Sequence, residues 1–280
     1  FNAEIKSNSS YLKINKDKIS FSQFSNIQDI NWKKYNVDYV FECTGKFNSK
    51  EKLIPHLKNG AKKVIVSAPC KNADKTVVFG VNHKKIGKND TIISAASCTT
   101  NCLAPIVDVI NKNFTIQNGF MTTIHAFTTD QRILDNSHKD PRRARSASQS
   151  IVPTSTGASK TIGEIIPSLK GKLEGIAMRV PIPNVSLVEF VFNVKKNISK
   201  EQLNNSFSNA SNAYLKNILN VTKEKLVSVD FNHNSASAVI DSSLTNVVGL
   251  KMGKISAWYD NEWGFSNRMC DIARYLSKIN

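Results

Sequence analysis

Cys98 lies in Ser97-Cys98-Thr99-Thr100-Asn101-Cys102, between an apolar run, Thr91 to Ala96, and the residues Leu103, Ile106, Val107, Ile110 and Phe114. The run reads as a buried strand, and the three- and four-residue spacings after it describe one face of a helix. A cysteine where a strand turns into a helix meets unpaired N–H groups and the positive end of the helix dipole, and both favour a thiolate. A free thiol titrates at about 8.5, and such surroundings lower that to about 3.5–7.5, so a low Cys98 pKa is the expectation. A lone cysteine is more often a small buried hydrophobe. Here, however, His125 ends the strand candidate that contains Met121-Thr122-Thr123-Ile124. Its imidazole is the group that could activate a thiol and then donate a proton.

Anion-gripping groups follow. Thr128, Thr129 and Asp130 come just after His125, and then the cluster Arg142-Arg143-Ala144-Arg145. That cluster is either a solvated basic loop or a phosphate grip, for which the rigid guanidinium fork is suited. Thr154-Ser155-Thr156-Gly157 opens a helix and offers hydroxyls and free N–H groups at a natural anion site. Arg179 interrupts the apolar strand Ile176-Ala177-Met178-Arg179-Val180, where a charge is costly without a partner or ligand. A cysteine, a histidine and several separate anion grips point to acyl chemistry on a phosphorylated carbonyl compound.

Positioning these groups requires a sizeable fold, and 280 residues suffice for two domains with a substantial core. The formal charge of +16 raises nucleic acid as a partner, but only seven of the 38 basic residues are Arg and the lysines are dispersed. The charge reads as solvated surface, with some attraction for phosphorylated substrates. No apolar run reaches about 18 residues, so no membrane span is expected. Five cysteines, at 43, 70, 98, 102 and 270, lack metal-ligand or disulfide-framework spacing. A reducing, cytoplasmic setting follows, with no metal. Cys102, one helical turn beyond Cys98, reads as a packing residue. The start at Phe1, without Met or a leader pattern, reads as an interior start.

Along the chain, Tyr11–Ile14 and Lys18–Phe21 predict a hairpin about Asn15-Lys16-Asp17. A strand from Val37 to Glu42 runs into Thr44-Gly45, and Ser49 caps a helix to Leu57. Lys63–Val66, Val77–Phe79 and Ile92–Ala95 are further strands, an order that predicts a parallel α/β sheet. After the Cys98 helix come a strand Gly119–Ala126, an irregular segment Thr128–Pro153 and a helix from Gly157 to about Leu169. So long a loop inside a compact domain is usually functional. Strands Glu174–Val180 and Val185–Val194, a polar helix Lys200–Ile218, and strands Leu226–Asp230, Ala236–Ile240 and Val247–Tyr259 predict an α+β unit with an antiparallel sheet. A last helix carries Phe265, Met269, Ile272, Ala273 and Leu276 on one face.

Five stretches in register resemble the phosphorylating glyceraldehyde-3-phosphate dehydrogenases. They are Ala96-Ser97-Cys98-Thr99-Thr100-Asn101, His125-Ala126-Phe127-Thr128, Pro153-Thr154-Ser155-Thr156-Gly157-Ala158, Met178-Arg179-Val180-Pro181 and Trp258-Tyr259-Asp260-Asn261-Glu262. Asp130-Gln131-Arg132-Ile133-Leu134-Asp135 with His138-Lys139-Asp140 is similar to bacterial and chloroplast-type members. The resemblance implies an α/β Rossmann-like dinucleotide-binding domain, N-terminally truncated, plus an α+β catalytic domain with a mainly antiparallel sheet. It implies residues 1–97 completed by helix 262–280 for the first, and 98–261, including an S-loop at 128–153, for the second. It further implies oxidation of glyceraldehyde 3-phosphate with inorganic phosphate and NAD or NADP, Cys98 as nucleophile and His125 as its base. Thr128, Asp130 and Arg179 match substrate-phosphate positions, while Ser97, Thr99, Thr156, Gly157 and Arg145 match positions for the attacking phosphate. Thr44, Gly45 and Ser67 match cofactor contacts, and Asn261 matches the residue that holds the nicotinamide amide. The S-loop implies a homotetramer.

Three departures stand out. The family's opening strand, Gly-rich turn, helix and ribose-binding strand, about fifty residues, do not precede Phe1. Phe265 stands where the family usually has Tyr, and Asn136-Ser137 where NAD-selective bacterial members tend to carry Leu-Pro, which leaves the choice between NAD and NADP open. Ser20–Trp32 matches least well. Two other readings are an erythrose-4-phosphate dehydrogenase and an inactive fragment that only binds a partner such as RNA.

Overall fold

The computed structural model describes residues 3–279. Three short strands, β1 (Ile5–Ser7), β2 (Tyr11–Ile14) and β3 (Asp17–Ser20), form an antiparallel sheet. The expected hairpin is β2–β3, turned at Asn15 with φ 53°; β1 is an addition that the sequence reading leaves out. A four-stranded parallel sheet follows, from β4 (Tyr39–Glu42), α1 (Lys50–Lys58), β5 (Lys63–Val66), β6 (Lys75–Thr76) and β7 (Ile92–Ser94), in the order β4-β5-β7-β6. Val64, Ile65 and Val66 of β5 are buried, as their apolar run requires of a central parallel strand, and Lys63 is buried with its Nζ donating to the Lys88 and Asp90 carbonyls, each at 2.8 Å. The strand expected at Val77–Phe79 lies two residues earlier, although the Val77 N–H still bonds the Ser94 carbonyl at 2.8 Å. Gly60, at φ +105°, ends the α1 turn where a Cβ would come within 2.7 Å of the Lys33 side chain, so only glycine fits.

The second unit begins at α2 (Cys98–Phe114) and continues through β8 (Ile116–Ala126), β9 (Val152–Ser155), α3 (Ala158–Ile165), β10 (Leu173–Val180), β11 (Ser186–Val194) and α4 (Lys200–Asn212). β12 (Leu219–Thr222), β13 (Ala238–Asp241), β14 (Asn246–Val248) and β15 (Met252–Tyr259) complete it, and α5 (Trp263–Ile279) ends the described chain. Its eight-stranded sheet runs β12-β13-β15-β11-β8-β10-β9, with β14 on β15. Two pairings, β8–β10 and β12–β13, are parallel and the rest antiparallel. α2 is buried along nearly its whole length: Leu103, Ile106, Val107 and Ile110 meet Phe190 and Phe192 of β11, Ile162 of α3 and Phe207 of α4. Each such side chain contributes about 1.5–3 kcal/mol on burial, so this helix is held rigidly. α5 returns to the parallel sheet, where Met269, Ile272 and Leu276 pack with Ile65, Val77, Ile93 and Ala95.

Several boundaries differ from the sequence reading, among them that of the helix expected to reach Leu169, which stops at Ile165 before a 3-10 turn at Pro167–Leu169. The irregular segment stops before Val152, because Val152–Ser155 pairs with β10. The helix expected to reach Ile218 stops at Asn212; Leu215, Ile218 and Leu219 have helical spacing, but Asn217 adopts φ 65° and the chain enters β12. Leu226–Asp230 is not a strand, since Ser228–Phe231 forms a 3-10 helix. Val247–Tyr259 is two strands, folded back on each other at Gly249, φ +61°.

Candidate functional site

The chain reaches Cys98 through a constrained turn. Ala96 takes a left-handed φ of 59°, Ser97 caps α2 by accepting from the Thr100 N–H at 3.1 Å, and Asn101 Nδ2 donates to the carbonyls of Ala95 and Ser97 at 2.8 and 2.9 Å. A left-handed alanine is uncommon and persists only where such bonds over-determine it. This turn sets Cys98 Sγ 3.4 Å from His125 Nε2, near the end of β8.

The tautomer of His125 follows from its other nitrogen. Nδ1 has two neighbours of opposite demand, the Ala126 carbonyl oxygen at 2.7 Å, which can only accept, and Arg179 Nη1 at 3.0 Å, which can only donate. The shorter contact assigns the proton to Nδ1, with the Nη1 hydrogens directed to the same carbonyl and to Thr128, and Nε2 then presents a lone pair to the thiol. Arg179 faces His125 across the parallel β8–β10 ladder. Its Nη1 donates to the Ala126 carbonyl at 3.0 Å and to Thr128 Oγ1 at 3.4 Å, and stands 3.0 Å from Nδ1. Burial, and then the Arg179 charge, push the His125 pKa down to about 4, which keeps the imidazole neutral. Cys98 corrects the sequence reading. Burial pushes its thiol up, and the opposing pull of Arg179 and the helix-start N–H groups does not overcome it.

Tyr259 is a member of this cluster to which sequence reasoning gave no role, although its neighbours were singled out. Its buried hydroxyl bonds Thr99 Oγ1 at 3.0 Å and Thr123 Oγ1 at 2.8 Å, and its ring meets His125 edge-on at 6.0 Å between centroids. Burial raises its pKa well above the ordinary phenol value, so it stays neutral. The Thr99 hydroxyl therefore faces inward, and the Ser97 hydroxyl serves the α2 cap.

The groups expected at the phosphate sites separate. Thr128 joins Arg179, as above. Asp130 pairs with Arg143 and has His138 Nε2 at 3.7 Å, while Arg143 Nε donates to Thr154 Oγ1 at 2.9 Å. Arg145 does not join them: it is 68% exposed and pairs with Asp135 at 3.3 Å on the outer side of the loop. The arginine that the fold turns inward is Arg143, because the loop closes through the Arg132 N–H to the Arg143 carbonyl and the Asn136 N–H to the Ala144 carbonyl. Val152 faces Arg179 across the β9–β10 ladder. Thr156 and Gly157 come after β9 and open α3, and neither has a hydrogen bond to the Cys98 cluster among the described residues. The Ala158 N–H bonds Thr156 Oγ1 at 3.3 Å.

Thr44, Gly45 and Ser67 lie just past the carboxyl ends of β4 and β5, where open α/β sheets take their ligands. The Thr44 N–H donates to Glu42 Oε1 at 2.7 Å, the Thr44 hydroxyl shares that oxygen, Gly45 takes φ +73°, and the Ser67 N–H bonds the Glu42 carbonyl at 3.1 Å. Glu42 is buried with His56, Nε2 to Oε2 3.3 Å, and Trp32 Nε1–H donates to His56 Nδ1 at 2.9 Å. That donation puts the imidazole proton on Nε2, facing the carboxylate. Burial raises the Glu42 pKa, but the bonds from His56 and Thr44 outweigh it and hold the group ionised. Asn261, also buried, accepts through Oδ1 from Ser186 at 2.9 Å, and its Nδ2 has no partner among the described residues. A free donor linked through Ser186 to the residue after His125, with a glycine turn at the sheet's carboxyl edge, fits a dinucleotide with a carboxamide ring. No helix among the described residues is long and apolar enough to cross a membrane.

Comparison with known proteins identifies the family. Residues 97–261 match the family described as glyceraldehyde 3-phosphate dehydrogenase, C-terminal domain, and residues 1–50 match the NAD binding domain of the same enzyme. Glyceraldehyde-3-phosphate dehydrogenase 2 of Bacillus subtilis (strain 168) is 46% identical over 278 residues, covering 99% of this chain and 82% of the relative. The corresponding enzyme 2 of Trichormus variabilis is 48% identical and the plasmid-encoded enzyme of Cupriavidus necator 49% identical, with the same coverage. The chain belongs to the glyceraldehyde-3-phosphate dehydrogenase family, and it is an NAD(P)-dependent oxidoreductase of that family.

Proposed function

We propose that Cys98 is the nucleophile and His125 the acid–base group of this dehydrogenase, and the observation that carries the reading is their 3.4 Å contact. Cys98 Sγ adds to the aldehyde carbon while His125 Nε2 takes the thiol proton and passes it to the new alkoxide, giving a thiohemiacetal. The backbone N–H of Cys98, at the start of α2, stabilises the oxyanion on the way. When bound, the dinucleotide supplies the hydride acceptor. His125 takes the hydroxyl proton as the thiohemiacetal is oxidised, leaving a thioester on Cys98. Inorganic phosphate then attacks the thioester carbon, the acyl phosphate leaves, and Cys98 is released as thiolate to be reprotonated.

Arg179 and Thr128 hold the substrate phosphate in this reading, and Arg143, steered by Asp130, serves the second anion with Thr156 and Gly157. A bound phosphate offsets the Arg179 charge beside His125, which raises the basicity of Nε2 when substrate is present. Thr44, Gly45 and Ser67 hold the dinucleotide, and Asn261 its carboxamide. The division into residues 1–97 with 262–280 and residues 98–261 belongs to the same proposal; the packing of α5 on the parallel sheet supports it.

The chain assembles as a homotetramer through the loop at 128–153, where Ile133, Leu134 and Ile151 are 53%, 74% and 69% exposed. A cytoplasmic setting suits its five free cysteines. The test is phosphate-dependent reduction of NAD or NADP by glyceraldehyde 3-phosphate. Cys98→Ser abolishes it, erythrose 4-phosphate is the poorer substrate by kcat/KM, and reduction that needs no phosphate, or survives Cys98→Ser, overturns the reading.

A further inference from the structure

Ser186 opens β11, opposite Tyr259 in the β11–β15 ladder, and is buried. Nothing in its surrounding sequence marks it as a site residue. Its hydroxyl oxygen accepts from the Ala126 N–H at 3.1 Å, and its Oγ–H donates to Asn261 Oδ1 at 2.9 Å. The directions are forced. An amide N–H can only donate, so the Ser186 oxygen accepts from Ala126; its single proton then has to go to Asn261, or be orphaned in a buried place. Asn261 must therefore turn its oxygen inward and its Nδ2 outward.

The backbone of Asn261 is fixed independently. Asp260 accepts from the N–H groups of Glu262 and Trp263 at 3.0 and 2.8 Å through one oxygen. Through the other it accepts from Asn184 Nδ2 at 3.0 Å and the His233 N–H at 2.8 Å. One hydroxyl thus lies between the residue after His125 and the side chain proposed to hold the nicotinamide.

We infer that Ser186 is a positioning residue: bridging the Ala126 N–H and Asn261 Oδ1, it presents Asn261 to the cofactor as a hydrogen-bond donor that reads the carboxamide oxygen. The inference rests on the reading of Asn261 given above. Without the hydroxyl, the Asn261 amide loses the partner that tells its two ends apart. The loss falls on the nicotinamide end of the dinucleotide and spares the adenosine diphosphate end.

The experiment measures Kd for NAD and for ADP-ribose, which lacks the nicotinamide, on wild type, Ser186→Ala and Ser186→Cys. In Ser186→Ala the Kd for NAD rises roughly 5- to 30-fold while that for ADP-ribose stays within about twofold. Ser186→Cys, nearly isosteric with a weak donor, falls between wild type and Ser186→Ala and guards against a fold defect in the alanine variant. The 3-acetylpyridine analogue, which keeps the carbonyl and lacks the amino group, shows the same loss as NAD. A wild type that prefers NAD, with Ser186→Ala losing equally from both ligands or from neither, overturns the inference alone. A wild type that binds the two ligands equally overturns the reading of Asn261 and the inference with it.

Discussion

Around Cys98 the polar side chains rise from regular strands and a capped helix and are mostly buried, whereas along residues 128–153 charged side chains on an irregular loop are tied mainly to one another. His125 and Arg179 share the Ala126 carbonyl on neighbouring strands, and Tyr259 is held from α2 and β8. In the loop, Asp130 holds Arg143, and Arg145 pairs with Asp135 in solvent. Groups fixed by backbone keep their geometry with or without a ligand. The exposed Arg145–Asp135 pair is worth about 0–1 kcal/mol, and Arg143, turned inward, keeps a partner, Asp130, that is half-exposed and free to yield the arginine to a competing anion. In the proposed function, chemistry accordingly belongs to the first region and adjustable anion capture to the second.

His125→Asn tests the first region most severely. It removes the Nε2 base and should lower kcat/KM about 10²- to 10⁴-fold, read from steady-state rates at saturating phosphate. A loss below tenfold would break the contrast at its stronger end. Arg179→Gln comes next, with a rise of one to two powers of ten, roughly, in KM for the phosphorylated aldehyde. It also removes a positive charge that lowers the Cys98 pKa, so the pH inflection of Cys98 alkylation, already on the alkaline side of an ordinary thiol, should move higher still.

The two loop arginines sharpen the comparison. Arg143→Ala should raise KM for inorganic phosphate by about tenfold, while Arg145→Ala stays within about twofold, because its ion pair lies outside the site. Equal effects would return Arg145 to the place the sequence reading gave it.

Acid stability supplies a smaller effect with a definite sign. His125 is neutral in the fold, with a pKa lowered from 6.5 to about 4, so unfolding takes up a proton between those values. Stability from this group is complete above pH 6.5 and is lost as pH falls toward about 4, by about 3 kcal/mol in all. Urea titrations of wild type and His125→Gln should therefore converge in that window, with the variant's slope against pH the shallower.

Much of this was legible in the residues. The strand Lys63–Val66 has the expected bounds, and the helix expected after the strand that precedes Cys98 starts at Cys98 and carries the expected face through Phe114. The pairing of Cys98 with His125 followed from residue types and from motifs in order. Three things were not legible, each for a physical reason. Three arginines within four positions give no sign of which one a loop turns inward. The bonds of Tyr259 to Thr99 and Thr123 span 160 and 136 positions, beyond any local pattern. The helix start at Cys98 is visible in sequence, but the burial that raises its thiol is a property of the packed fold. The polar helix Lys200–Ile218 was drawn too long because the helical spacing of Leu215 and Ile218 also suits a buried lead into a strand.

The central claim, that Cys98 carries the acyl group, is most directly tested by trapping. The protein is mixed with glyceraldehyde 3-phosphate and the dinucleotide without inorganic phosphate, quenched in acid and mapped by peptide mass spectrometry. The account predicts one acyl adduct, on Cys98, that disappears when phosphate is added before the quench. An adduct on Cys43, Cys70, Cys102 or Cys270, or hydride transfer with no adduct at all, would contradict it.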